Sequence, residues 1–405
     1  MRALFDLLRQ NICATISMMV TIRKTFKYRL YNNKRNKHLY RQIDVAGLIW
    51  NHCVALQRRY YRLTGGYINK YRLMAHLAKL RMRTERYAYW RVVGSQAVQD
   101  IADRLDRSYQ AFFKYNRGET ALKRGRPGFK KVKKYSSFTL KQAGWKYLGE
   151  NRVRIGKVTY KFAKSREIEG QVKTVTIKRD RVGRLYVCFS VVQEVELPDI
   201  ASTGRIGGFD FGLRTFLTDD ENTAYLMPQY LKENLNEIAR LNRALSRKQP
   251  GSNNYEKARR QMARAHARLA DKRRDFHFKL ARRLAGEYDI LCFEDLNIRA
   301  MQRMWGRKVS DLGFSEFLNI QKHVAVQMGK IVMQIDRFEP STTPCSACGR
   351  RQPMPLHVRV FECQNPECLS VFDRDHNAAR NIKRVGASAL WLEGVRREPV
   401  PAALA

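Results

Sequence analysis

Three acidic residues in this 405-residue sequence stand where a carboxylate is unfavourable. Asp210 lies inside the glycine-flanked apolar run IGGFDFGLRTF. Glu294 closes the apolar run YDILCFED, and Asp375 lies in FDRDHNAARNI, where a strand-like piece gives way to a helix. A carboxylate in an apolar strand is disfavoured unless it is paired, hydrogen-bonded or metal-bound. Taken singly, each acid has a structural reading: Glu294 or Asp295 can pair with one of the many arginines, and Asp373 or Asp375 can cap the last helix. Taken together, in the order Asp-strand, Glu-strand, Asp-helix, they point to a shared cation site. Carboxylate oxygens suit Mg²⁺ or Mn²⁺. A pair of such ions can activate a water and stabilise the leaving oxygen of a phosphodiester.

A second constellation is made of sulfur. CSAC (345–348), fourteen residues, then CQNPEC (363–368) places Cys345, Cys348, Cys363 and Cys368 within 24 residues. Four thiolates at this spacing suit a tetrahedral structural Zn²⁺ closed to substrate. An iron–sulfur cluster is the less favoured alternative, and the second knuckle is longer than usual. Arg350, Arg351 and Arg359 nearby suggest a segment that touches nucleic acid or braces the acids. The other cysteines, Cys13, Cys53, Cys188 and Cys292, are scattered among apolar neighbours and read as ordinary buried thiols.

Lys and Arg number 78 against 37 Asp and Glu, a formal charge of +41 spread along the chain. Such an excess repels itself in a compact fold unless a polyanion neutralises it, and nucleic acid is the natural partner. Residues 117–134 hold eight basic residues with Gly and Pro and read as a loop that cannot bury itself. Its Lys123, Arg124, Arg126, Lys130, Lys131, Lys133 and Lys134 are candidate phosphate contacts. So are Arg264, Arg268 and Lys272 on a helix that also carries Arg259, Arg260, Arg273 and Arg274. Tyr60, Tyr61, Tyr87, Tyr89, Trp90 and Trp145 lie among cations and are either core or stacking surfaces. His266 and His277 are assigned no role.

The elements that must position these groups are legible in outline. Residues 21–31 alternate as a half-buried strand with one basic face. Helices are expected over 36–63, ended by Gly65-Gly66, and over 69–82 and 94–115. Strands fill 136–196, with Gly183 in a hairpin turn, and LPDIASTG (197–204) is a linker. Beyond it come a strand, a tight turn and a second strand. An antiparallel helix pair, the strand at 290, a helix over 313–329, another strand, and a short helix from about His376 follow. Residues 1–19 read as an extension outside the fold, expected to be disordered, with Met18 and Met19 as alternative starts. No run of 18 apolar residues exists, so no membrane span is expected.

GFDFGLRTF, LCFEDL, SDLGFSEF, the four-cysteine segment and DRDHNAARNI, in this order, resemble the TnpB proteins of IS200/IS605 and IS607 transposons, relatives of compact type V CRISPR effectors. The likeness covers about residues 20–385. It implies an α+β multidomain chain. A wedge-like β-barrel (20–35 and 117–198) would carry an inserted helical recognition module (36–116). A RuvC-like domain of the RNase H fold (199–344 and 369–386) would carry a zinc-ribbon insertion (345–368), with a tail over 387–405. It further implies an RNA-guided DNA endonuclease that binds a transposon-end RNA and cuts both strands of DNA beside a short motif, meeting double- and single-stranded DNA. Asp210, Glu294 and Asp375 would be the catalytic Mg²⁺ ligands and the four clustered cysteines the Zn²⁺ ligands, with Asp373 in support. One protein per RNA and a cytoplasmic, nucleoid-associated location are expected. The alternatives are a non-cleaving RNA-guided regulator and a RuvC-like nuclease that needs no guide.

Overall fold

The computed structural model describes residues 19–196, 204–355 and 357–389. The readings made for residues 1–18, for Cys13, for the linker up to 203 and for the tail from 390 lie outside the described residues. The chain divides into two compact units, Met19–Val195 and the described residues from Glu196 on.

In the first unit, β1 (Met19–Leu30) buries Phe26, Tyr28 and Leu30 and exposes Lys27 and Arg29, the alternation that a half-buried strand requires. The chain then leaves the sheet for α1 (Asn36–Thr64), α2 (Lys70–Arg83), a 3₁₀ segment (Glu85–Val92) and α3 (Ser95–Asn116). Gly65, at φ 66°, ends α1 in the left-handed conformation that favours glycine, and its N–H bonds Tyr61 O. Asn69 caps α2 by accepting from Arg72 N at 3.0 Å.

The sheet resumes with β2 (Ser137–Leu140), β3 (Trp145–Tyr147), β4 (Arg152–Ile155), β5 (Val158–Ala163), β6 (Gln171–Arg179) and β7 (Leu185–Glu196). The strand order is β2-β6-β7-β1-β5-β4-β3. This is a near-barrel: among the described residues β2 and β3 each have one ladder partner. Tyr28, Phe162 and Phe189 fill it, with ring centroids 5.1 to 6.1 Å apart. Sheet and helices share one core. Arg104 on α3 joins them, pairing with buried Asp100 at 2.7 Å and bonding Ser137 and Thr139 on β2.

The second unit is built on β8 (Ile206–Asp210), β9 (Leu217–Asp219), β10 (Ala224–Tyr225), β11 (Ile290–Glu294) and β12 (Ile331–Ile335), in the order β10-β9-β8-β11-β12. β8, β11 and β12 run parallel, and β9 is antiparallel to β8. All five residues of β8 are buried, as expected of a strand covered on both faces. The single turn α4 (Tyr230–Glu233), then α5 (Leu235–Ser246) and the 35-residue α6 (Asn253–Glu287), lie between β10 and β11. α7 (Ile298–Leu312) and α8 (Phe314–Gln327) lie between β11 and β12. The hairpin of β13 (Val360–Glu362) and β14 (Val371–Asp373) leads into α9 (Arg374–Ala389). On one face of the sheet Phe209, Phe211, Phe216, Phe293, Phe314 and Phe317 form one aromatic cluster. α9 lies along the other face.

Candidate nuclease and metal sites

The register of the parallel pair sets two of the three acids side by side. Phe209 on β8 aligns with Phe293 on β11, and their rings stack at 5.1 Å within the aromatic face. The next positions, Asp210 and Glu294, therefore turn to the opposite face, the one α9 covers. Gly208 explains how α9 comes so close: a Cβ there would lie 2.1 Å from Ala379 O of the helix. Asp375 sits in the first turn of α9. A Cβ on Gly212, just after β8, would lie 3.5 Å from Asp375 Oδ2. Gly208 is thus the space for the helix, while Gly207 clears the Tyr288 ring and Gly212 clears Thr215 O, with Asp375 at contact distance.

Electrostatics ties the acids together. Burial, then the charges of Asp375 and Glu294, push Asp210 up to about 8, against the opposing charge of Arg374. Burial raises Glu294 too, although the Ser341 hydroxyl, 3.5 Å away, acts the other way. Asp375 is raised by burial and then by Asp373, with Arg359 and Arg374 opposing. Asp210, a buried carboxyl whose ionisation the charges of two half-buried ones disfavour, makes with them the donor set a hard divalent cation would fit, with one loose ion pair among them (Arg359 Nη1 to Asp375 Oδ1, 3.6 Å). Their oxygens are not drawn together as the thiols are: among the described residues only the cysteine group has ligand atoms all within 4.8 Å.

Asp373 plays a different part. Its Oδ1 accepts from the backbone N–H of Asp375 at 2.8 Å and of His376 at 3.3 Å, so it caps α9. Between the two acids that could have been the cap, the structure picks Asp373 and leaves Asp375 toward the other carboxylates.

In the cysteine segment, Cys345 and Cys368 Sγ are 3.9 Å apart and Cys348 and Cys363 Sγ 3.6 Å apart. Tight turns bring them there: Gly349 N donates to Cys345 O at 2.9 Å and Cys368 N to Asn365 O at 2.9 Å. Four convergent sulfurs could hold a metal ion. Two buried asparagines on one face of α9 hold this segment. Asn377 accepts from Ser346 N at 2.8 Å and donates to Pro344 O at 2.8 Å, and Asn381 donates to Ser341 O and Pro344 O. The same helix thus carries Asp375 and tethers the cysteine segment.

Sequence reasoning missed several residues here. Asp220 accepts from Gly208 N at 2.9 Å and from Lys383 Nζ at 2.6 Å, fastening α9 to β8. Buried Asp219 closes its own turn and accepts from Tyr225 OH. The available signal was the acidic pair ending an apolar run in FLTDD, and, for the asparagines, their four-residue spacing. Helix α7 was also missed, although Asn297 caps it and Gly313 ends it at φ 68°.

The basic groups divide. Arg260, Arg264, Arg268 and Lys272 are exposed and recur every four residues along α6, about 6 Å apart. Arg259 instead pairs with Glu256, and Arg273 and Arg274 both grip Glu316, so they hold the fold rather than extend the stripe. In the first unit the 117–134 loop is pinned more firmly than expected. Trp50 donates to Gly128 O and Asn51 brackets Lys130 through both of its backbone groups. Lys123, Arg124, Arg126, Lys130, Lys131, Lys133 and Lys134 are nonetheless exposed. Lys130 Nζ lies 3.7 Å over the Trp50 ring, and Arg126 stands over Tyr61. A cleft of about 790 Å³ lined by Trp50, Arg104, Arg107, Lys123, Arg124 and Lys130 separates loop from helices. Of the aromatics, Tyr61 and Tyr89 are exposed, whereas Trp90 is core and offers no stacking face. His277 is buried against Leu312 O, its burial lowering it to about 4.

Among the described residues no helix is long and apolar enough to cross a membrane. Two family models match the chain: OrfB_IS605, described as "Probable transposase", over residues 189–304, and the Cas12f1-like TNB domain over residues 314–382. A Streptomyces pristinaespiralis protein named "Putative RNA-guided DNA endonuclease" is 29% identical over 384 residues, covering 92% of this chain and 91% of its own. InsQ of Escherichia coli K12, given the same description, is 26% identical over 390 residues, covering 91% and 93%. The Cas12f1 chain of a cryo-EM complex with sgRNA and target DNA shares the fold, with a TM-score of 0.51 at 14% identity over 90% of this chain and 99% of that one.

Proposed function

With the resemblance to the TnpB family borne out by these models and relatives, we propose that this chain is an RNA-guided DNA endonuclease of transposon origin. It binds an RNA from the transposon end and pairs that guide with DNA beside a short motif. It cuts both strands at one RuvC-like site, working as one protein per RNA. The observation that carries the chemistry is the placement of Asp210 and Glu294 at the ends of two neighbouring parallel strands, on the sheet face covered by the helix that carries Asp375, in a chain of net charge +41. The sheet order supports an RNase H-type reading of this unit.

Asp210, Glu294 and Asp375 would hold Mg²⁺ or Mn²⁺, which supplies an activated water and charge stabilisation at the leaving oxygen. The chain's own contribution is positional. Asp373 fixes the first turn of α9, Asp220 and Lys383 fasten α9 to β8, and Ser341 steadies Glu294. Cys345, Cys348, Cys363 and Cys368 would hold a structural Zn²⁺. An RNA–DNA duplex is gripped through its backbone and shape, which asks for charge spread over many surfaces rather than one reading helix. The 117–134 loop and the α6 stripe are the surfaces we assign to it.

The test is to purify the protein with its RNA, sequence that RNA, and supply Mg²⁺ and DNA matched to it. Wild type should cut and Asp210→Ala should bind without cutting. An Asp210→Ala variant that cuts as well as wild type removes the assigned site. Binding without any Mg²⁺-dependent product from wild type would instead indicate a regulator.

A further inference from the structure

Phe338 is 89% exposed, the highest value among the large apolar side chains of the described residues. Single exposed apolar residues are ordinary on a protein surface. What sets this one apart is the backbone that carries it. β12 ends at Ile335, the ladder partner of Glu294, and Phe338 follows three residues later. Three residues of extended chain reach at most about 11 Å, so the backbone that carries the ring stays near the end of β12, beside the strand of Glu294.

The turn that presents Phe338 is fixed on both sides. Asp336 accepts from Phe338 N through Oδ1 at 2.8 Å and from Glu339 N through its carbonyl at 3.1 Å. Arg337 reaches back to the residue after Glu294, donating from Nη2 to Asp295 Oδ2 at 2.6 Å and from Nε to Asp295 O at 3.1 Å. On the far side Ser341 lies beside Glu294, and its carbonyl accepts from Asn381 on α9. The fold therefore anchors residues 337 and 341 to the strand and helix that carry two of the three carboxylates, and between them turns a bare ring outward. No ring or cation contact involves Phe338 among the described residues. A flat apolar face carried on a braced turn beside the strand of Glu294 suits a nucleobase, because every base has a π-face to stack.

We propose that Phe338 is a positioning residue that stacks on a base of the DNA strand entering the carboxylate site and sets which phosphate reaches the acids. This rests on the nuclease reading above. The target is held mainly by pairing with the guide, so losing one stack lowers the rate of cutting at saturating DNA and leaves KM unchanged.

The experiment uses RNA-loaded protein and matched DNA carrying 2-aminopurine at one position at a time in the strand to be cut. Binding is read on an Asp210→Asn background and cutting, with Mg²⁺, on the wild-type background. We expect one position to be quenched in the presence of Phe338 and restored by Phe338→Ala. Phe338→Ala should also lose about 10- to 100-fold in kcat, the range one base–aromatic stack supports, and Phe338→Trp should recover most of it. An Ala variant that cuts like wild type overturns the proposal, as does a loss that Trp does not rescue or the absence of any quenched position. If wild type fails to cut while a position is still quenched by Phe338, the nuclease reading fails and the stacking stands.

Discussion

The two clusters in the second unit differ in how they are assembled. The four sulfurs come from two tight turns within 24 residues and lie within 4.8 Å of one another. The three carboxylates come from positions more than 80 residues apart, and each is raised above its ordinary range by burial and by neighbouring acids. A protonated thiol carries no charge to repel its neighbours, so local turns are enough to gather them. Carboxylates repel, so a fold has to force them together. Here strand register, the close approach of α9 at Gly208 and a helix cap bring them near one another. The sulfur site is a local fold that a soft ion would lock. The acid site is stored electrostatic conflict that a hard ion would relieve.

Disturbing each site therefore has a different signature. The largest effect should follow loss of the sulfur-bound metal. Cys363→Ser or chelation should unfold the 345–368 segment, because the metal supplies most of the stability of such small modules. Zinc content, thermal unfolding and cleavage should fall together, through the tether of Asn377 and Asn381 to α9. A zinc-free protein that keeps its melting temperature would break the contrast.

Glu294→Gln should lower cleavage by roughly 10²–10³-fold, the scale of removing one group that stabilises developing charge. Zinc content and melting temperature should hold. Zinc loss in this variant would show that the two sites are not separate.

The pH dependence sharpens the acid half. Asp210 is raised from an ordinary 3.8 to about 8, so the folded state binds the proton more tightly than the unfolded one. Its stabilising contribution is complete below pH 3.8 and is lost as the pH rises through about 8. In chelator, the urea midpoint should therefore fall across this window, while Asp210→Asn or added Mg²⁺ should flatten the slope. A midpoint that climbs with pH, equally in wild type and variant, would contradict the stored conflict.

The smallest effect concerns α6. Replacing Arg264, Arg268 and Lys272 with Gln should reduce the salt dependence of nucleic-acid binding by about 2 to 3 in log–log slope, at roughly 0.7–0.9 per charge. Arg273→Gln should instead weaken the fold, because Arg273 grips Glu316. Equal slopes for wild type and triple variant would return the stripe to a solvated face.

What the sequence revealed follows the same division. The sulfur cluster was readable because its spacing is local, and so was the end of α1, where Gly65-Gly66 interrupts a helical stripe. Asp210 and Glu294 stood out because each interrupts or closes an apolar run, and Asp375 because it lies where a strand-like piece gives way to a helix. Their juxtaposition depended on the register of β8 and β11 and on Gly208, which read only as one of the glycines flanking an apolar run. Asp219 and Asp220 passed unnoticed because an acidic pair after a strand looks like a turn. Helix α7 escaped because it buries only Val309, Asp311 and Leu312 and breaks at Trp305, leaving no apolar stripe to find. Trp90 was undecided between core and stacking surface, and only packing against His52, Tyr87 and Tyr89 makes it core.

A bound RNA is proposed to direct cutting at the carboxylate site. This is tested most directly by dividing one preparation in two, stripping the RNA from one half with ribonuclease, and giving both halves Mg²⁺ with matched and mismatched plasmids. Only the RNA-loaded half should cut, and only the matched plasmid. Cutting that survives ribonuclease treatment, or that ignores the match, would contradict the account.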